Sequence, residues 1–260
     1  MEKQITFESG DLTLSGLIRY QVGQAGQSRQ TGQAGELSQP EESGKSGQPE
    51  KTANLQQKTG GKAVIVIHPH PLYGGNMRNP VVETVCDAFY KNGFATLRFD
   101  FRGVGASQGA HDHGMGEQDD LLAAHGYLGG LGFAEIALAG YSFGSWVSGH
   151  AALTQPVFSD IVMVSPPVAM MDFSKCPAPP DLGLVVTGSD DEIAPPELVE
   201  KWLKKGRRGS GVDMGEFQTD KFKMGECKMA EFEIIDGADH FYSGRMEMLE
   251  RAVSDYLKRR

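Results

Sequence analysis

Apolar and polar positions along this chain follow two rhythms. Ile5-Thr6-Phe7-Glu8 and Leu12-Thr13-Leu14-Ser15-Gly16-Leu17-Ile18 alternate around Ser9-Gly10-Asp11, which predicts a β-hairpin. Ala63-Val64-Ile65-Val66-Ile67 does not alternate: it is a continuous β-branched run of the kind expected for a strand buried on both faces. Phe94–Phe99, Asp160–Val164, Leu184–Thr187 and Phe232–Ile235 are further strands. Between them lie stretches with helical spacing: Met77–Asn92, about Gly116 to Leu128, Pro196–Lys204 with proline near its first turn, and Met246–Lys258. Strands alternating with helices imply an α/β fold, a mostly parallel sheet of about eight strands covered on both faces and opened by an antiparallel N-terminal hairpin. In such a sheet, active-site residues belong on the loops at the carboxyl ends of the strands.

One segment breaks the pattern. From about residue 23 to 61 the composition turns to Gln, Gly, Ser, Glu and Lys, and Gln24-Ala25-Gly26-Gln27 is echoed by Gln33-Ala34-Gly35-Glu36. A segment so poor in apolar residues cannot bury enough surface to offset its ordering entropy, so residues 23–61 read as a disordered insertion in a single domain spanning 1–260. A second polar, Gly-rich stretch runs from about Gly206 to Gly225.

The chemistry centres on Gly140-Tyr141-Ser142-Phe143-Gly144. It follows the apolar run Glu135-Ile136-Ala137-Leu138 and precedes the helical Trp146-Val147-Ser148-Gly149-His150. In that setting G-x-S-x-G is a nucleophile elbow, a tight strand-to-helix turn that pushes the serine hydroxyl outward. A serine hydroxyl needs a base, and the base needs a third group to hold its tautomer. Downstream of Ser142 lie only His150, on the elbow's own receding helix, and His240, after the last strand; His240 is therefore the base. For the acid, the loop Gly188-Ser189-Asp190-Asp191-Glu192 offers three carboxylates. A residue or two of turn is needed before a side chain can project back, which favours Asp191 over Asp190; Glu192 would serve a longer turn. Asp239 adjoins His240 and points the opposite way. For an oxyanion hole, one donor is the backbone N–H of Phe143. The other comes from His68-Pro69-His70-Pro71-Leu72-Tyr73-Gly74-Gly75, where only His70, Leu72 and Tyr73 can donate; Leu72 is favoured.

Bulk properties narrow the picture little. Over 260 residues the net charge is -9, which speaks against a nucleic-acid partner. No apolar run approaches the ~20 residues of a membrane span, and no signal pattern opens the chain. Cys86, Cys176 and Cys227 are odd in number and unpatterned, which suits a reduced cytoplasm. His68 and His70, with His111 and His113, suggest a metal, but no third ligand set is apparent, so they read as loop-fixing residues and no cofactor is expected. Glu117, Asp119 and Asp120 read as carboxylates at the positive end of a helix.

The segments His68–Met77, Leu97-Arg98-Phe99-Asp100-Phe101-Arg102-Gly103-Val104-Gly105-Ala106-Ser107, Gly116–Asp120 and Gly140–Gly144 together carry a resemblance. The chain resembles the α/β-hydrolase superfamily, in particular small capless bacterial hydrolases similar to the dienelactone-hydrolase group. The resemblance implies Ser142 as nucleophile, Asp191 as acid, His240 as base, and a site bordered by the Arg102–Ser107 loop. No segment between the Asp160–Val164 and Leu184–Thr187 strands is long enough for a helical cap. The expectation is a serine hydrolase acting on a small ester or thioester through an acyl-enzyme. Its rivals are a peptidase or lactone hydrolase on the same triad, and a non-catalytic scaffold that keeps the fold.

Overall fold

A computed structural model describes residues 2–20, 61–207 and 230–260. All but the last residue of the proposed insertion (23–61) and most of the Gly206–Gly225 stretch lie outside the described residues, as does Cys227. The described elements are, in order, β1 (Glu2–Ser9), β2 (Leu12–Arg19), β3 (Lys62–Ile67), α1 (Pro80–Lys91), β4 (Ala95–Phe99), α2 (Met115–Gly130), β5 (Glu135–Tyr141), α3 (Phe143–Thr154), β6 (Ile161–Val164), β7 (Leu182–Gly188), α4 (Pro196–Arg207), β8 (Glu231–Ile235) and α5 (Met246–Lys258).

The eight strands form one sheet in the order β1-β2-β4-β3-β5-β6-β7-β8. β1 and β2 pair antiparallel, as do β2 and β4; every pairing from β4 to β8 is parallel. β3 shows why a β-branched run was needed. Ala63, Ile65 and Ile67 join the core beneath α2, α3 and α4, while Val64 and Val66 join the core beneath α1 and α5. Both faces are dry, so alternation has no role, and sealing a side chain such as Ile65 stabilises the fold by roughly 1.5–3 kcal/mol.

Element ends differ from the periodicity where a cap decides them. α1 begins at Pro80 and not at Met77, because the Asn79 Oδ1 accepts the Val81 N–H (2.9 Å) and proline supplies the first turn. Strand order reverses across β3, with β4 on one side and β5 on the other. Loops leaving β3 and β5 therefore diverge and open a crevice at the carboxyl edge, the usual place for a ligand in such sheets. The connection from β6 to β7 (165–181) contains no helix, so no cap domain arises there. Among the described residues no helix is long and apolar enough to cross a membrane.

Candidate active site

Ser142 sits between the end of β5 and the start of α3 with φ 53° and ψ -119°, a conformation that L residues rarely adopt. The frame explains how it persists. A Cβ on Gly140 would lie 2.5 Å from the Gly144 carbonyl oxygen, and one on Gly144 would lie 2.7 Å from that of Ile67. Only hydrogen fits at either place, so strand and helix close tightly around the turn. Ser145 and Ser148 fasten it further: their hydroxyls donate to the carbonyls of Gly140 (2.6 Å) and Gly144 (2.7 Å).

Three distant loops meet at this turn. The His240 Nε2 lies 3.0 Å from the Ser142 Oγ, and its Nδ1 lies 2.9 Å from both Asp191 carboxylate oxygens. Asp191 also accepts the N–H groups of Ile193 (2.9 Å) and Ala194 (2.7 Å), which fixes its carboxylate from behind. Burial works to raise its pKa, but the hydrogen bond and charge of His240, with Ser165 and the Ala194 N–H, hold it below the usual carboxylate range. An ionised Asp191 can only accept, so Nδ1 keeps its hydrogen and donates it, and Nε2 faces the serine hydroxyl as an acceptor. The Tyr141 hydroxyl donates to the His240 carbonyl (2.9 Å) and ties the histidine loop to the elbow strand. Asp190 and Glu192 are exposed, and Asp239 is spent on the Phe241 and Ser243 N–H groups of its own turn.

The loop after β3 places its donors differently from expectation. Pro71–Tyr73 form a 3-10 turn in which the Leu72 N–H donates to the His70 Nδ1 (3.3 Å) and the Tyr73 N–H to the His70 carbonyl (3.1 Å). Leu72 is 67 % exposed and lines a neighbouring cavity, not the one holding Ser142. Its N–H is therefore not available to an oxyanion, which corrects the preference for Leu72. Of the three candidates only the His70 N–H is without an acceptor among the described residues, and His70 lines the Ser142 cavity. The Phe143 N–H, at the first turn of α3, is likewise without an acceptor in its helix.

One further histidine is absorbed by structure. His68 is fully buried, donates from Nδ1 to the Pro69 carbonyl (2.7 Å) and accepts the Phe101 N–H at Nε2 (3.1 Å). Burial lowers its pKa to about 4, so both ring nitrogens are committed and the ring stays neutral. Glu117 stands in the first turn of α2, as the sequence implied, and Asp120 follows one turn later. Both are fully buried: Glu117 accepts the N–H groups of Asp112 (3.0 Å) and Gly114 (2.7 Å), and Asp120 holds the Arg102 guanidinium (2.8 Å) and the Ser9 hydroxyl (2.7 Å). Arg102 is thereby turned to α2, and Gly103–Gly105 line the neighbouring cavity, which measures about 670 Å³. The cavity at Ser142 measures about 370 Å³ and includes Asn79, a residue with no chemical signature in the sequence. No group of three or more His, Cys, Asp or Glu side chains among the described residues could hold a metal ion.

No protein-family model matches the chain. An uncharacterized protein of Rickettsia prowazekii is 34 % identical over 201 residues, covering 74 % of this chain and 77 % of the relative. Among solved structures, an α/β serine hydrolase without lid from Xanthomonas campestris superposes with a TM-score of 0.71 at 26 % identity, over 99 % of this chain and 94 % of that one. An α/β serine hydrolase homologue from Coxiella burnetii gives 0.68 at 28 %, over 97 % and 96 %. The chain belongs to the α/β-hydrolase superfamily, in its capless form. Its structural likeness is to hydrolases.

Proposed function

We propose that this protein is a serine hydrolase that cleaves a carboxylic ester or thioester through an acyl-enzyme. In this reading the Ser142 Oγ attacks the carbonyl while His240 takes its proton at Nε2. Asp191 holds the ring and stabilises the imidazolium. The oxyanion is received by the backbone N–H groups of Phe143 and His70. His240 then protonates the departing alkoxide or thiolate, and a water activated by the same nitrogen releases the acid. The supporting observation is the unbroken chain of contacts from Asp191 through His240 to Ser142, at 2.9 and 3.0 Å.

A fluorophosphonate probe reacts with a serine only where a base activates it, so it should label wild-type protein at Ser142 and leave Ser142→Ala unlabelled. Folded wild-type protein that resists the probe would sink the assignment. Hydrolysis of p-nitrophenyl esters lost in His240→Ala would separate this enzyme from a scaffold of the same fold.

A further inference from the structure

The cavity beside Ser142 is lined from two sides by uncharged groups: Tyr73 and Gly74 from the loop after β3, Pro167, Met170 and Met171 from the loop after β6, with Phe241 beside the histidine. No Lys, Arg, Asp or Glu lines it among the described residues; Arg78 and Asp100 face the neighbouring cavity instead. Tyr73, Met170 and Phe241 are 79 %, 62 % and 62 % exposed, an unusual amount of open apolar surface gathered at one mouth. Methionines suit a wall that must adapt to ligands of varied outline. One polar side chain stands apart from the reacting groups and the oxyanion loop. Asn79 is oriented by its Oδ1, which accepts the Val81 N–H (2.9 Å), and its two Nδ2 hydrogens have no acceptor among the described residues and are open to a ligand's oxygen.

We infer that the substrate's acyl group is electrically neutral and mainly aliphatic or aromatic, with one acceptor oxygen that Asn79 receives. The volume of about 370 Å³ holds a group of about a dozen non-hydrogen atoms at the ~30 Å³ each water takes in the liquid. A carboxylate on the same chain would surrender its hydration to methionine and phenylalanine with no cation to replace it. The inference rests on the serine-hydrolase reading for the bond that is cut, but its test reads binding.

Full-length Ser142→Ala protein is titrated calorimetrically at pH 7.5 with p-nitrophenyl hexanoate and with the mono-p-nitrophenyl ester of adipic acid, which adds a carboxylate at the chain end. The hexanoate should bind at least about tenfold more tightly. Equal or tighter binding of the adipate, or no binding of either, overturns the inference. A second series places an ether oxygen at successive positions of the hexanoyl chain. One position should gain roughly fivefold in affinity, the worth of one net hydrogen bond, and Asn79→Ser, which keeps a capping hydroxyl, should erase that gain. A flat series, or a gain that survives the substitution, removes Asn79 from the proposal. Labelling of wild-type Ser142 by a fluorophosphonate reports separately on the catalytic reading, so the failure of one is distinguishable from the failure of the other.

Discussion

Two carboxylate–imidazole pairs flank Phe143, and only one of them meets a hydroxyl. On one side Asp191 faces His240 at 2.9 Å, and the far nitrogen of the ring reaches Ser142. On the other, Glu117 lies 2.7 Å from the His111 Nδ1, but the alignment is too poor for a hydrogen bond, and the ring packs against Phe143 and His70. Both acids are buried and both take backbone N–H groups. The difference lies in what stands behind the imidazole. His240 has a strained serine hydroxyl at 3.0 Å, whereas His111 meets the faces of aromatic rings. A buried acid beside a histidine is thus a structural motif until a nucleophile completes it.

The comparison can be broken most severely at the hydroxyl. Ser142→Ala should lower kcat on a p-nitrophenyl ester by about 10⁶-fold, and Asp191→Asn, which frees the wrong tautomer, by about 10⁴-fold, both read by steady-state kinetics on folded protein. On the α2 side the expected losses are in stability instead. Asp120→Ala strands the Arg102 guanidinium and should cost about 3–5 kcal/mol in urea unfolding. Glu117→Gln, which keeps one acceptor for two donors, should cost about 1–3 kcal/mol and leave kcat within about tenfold. A larger kinetic loss for Glu117→Gln would mean that the second pair also bears on the reaction.

Acid sharpens the contrast at a third histidine. The pKa of His68 falls from 6.5 to about 4 on folding, so the unfolded chain binds more protons between those values and stability drops as pH falls through that window. The loss should reach about 3 kcal/mol by pH 4 relative to pH 7, from a shift of some two and a half units. His68→Gln, which retains an acceptor for the Phe101 N–H, should remove that share of the pH dependence in parallel denaturation curves. Asp191 works in the same direction further into acid: its lowered pKa adds stability above the ordinary aspartate range, and this is lost as pH falls through the folded value.

What the sequence made legible and what it hid follow from range. β3 and β5 were readable because strands covered on both faces must be apolar throughout, and the elbow because its two glycines are forced by contacts of 2.5 Å within the turn and 2.7 Å to the end of β3. The partners of Asp120 are not local: Ser9 is 111 residues away, and Arg102 lies across a loop 18 residues back, so nothing beside Asp120 signals its burial. Leu72 was misjudged for the opposite reason, a contact too local to see. Whether an N–H faces the site or the ring two residues before it depends on a single 3-10 turn. Asn79 was hidden behind its capping duty, which accounts for half of its amide and not the other half.

The helix-free run between β6 and β7 bears on kinetics as well as shape. Many enzymes must swing a gate before product leaves, and their turnover slows in viscous solvent. The described connection from β6 to β7 forms no such gate, and a catalyst whose mouth is bounded by loops of that kind would keep pace in glycerol. Its acyl intermediate would stand within reach of bulk water, so hydrolysis would outrun transfer of the acyl group to another alcohol.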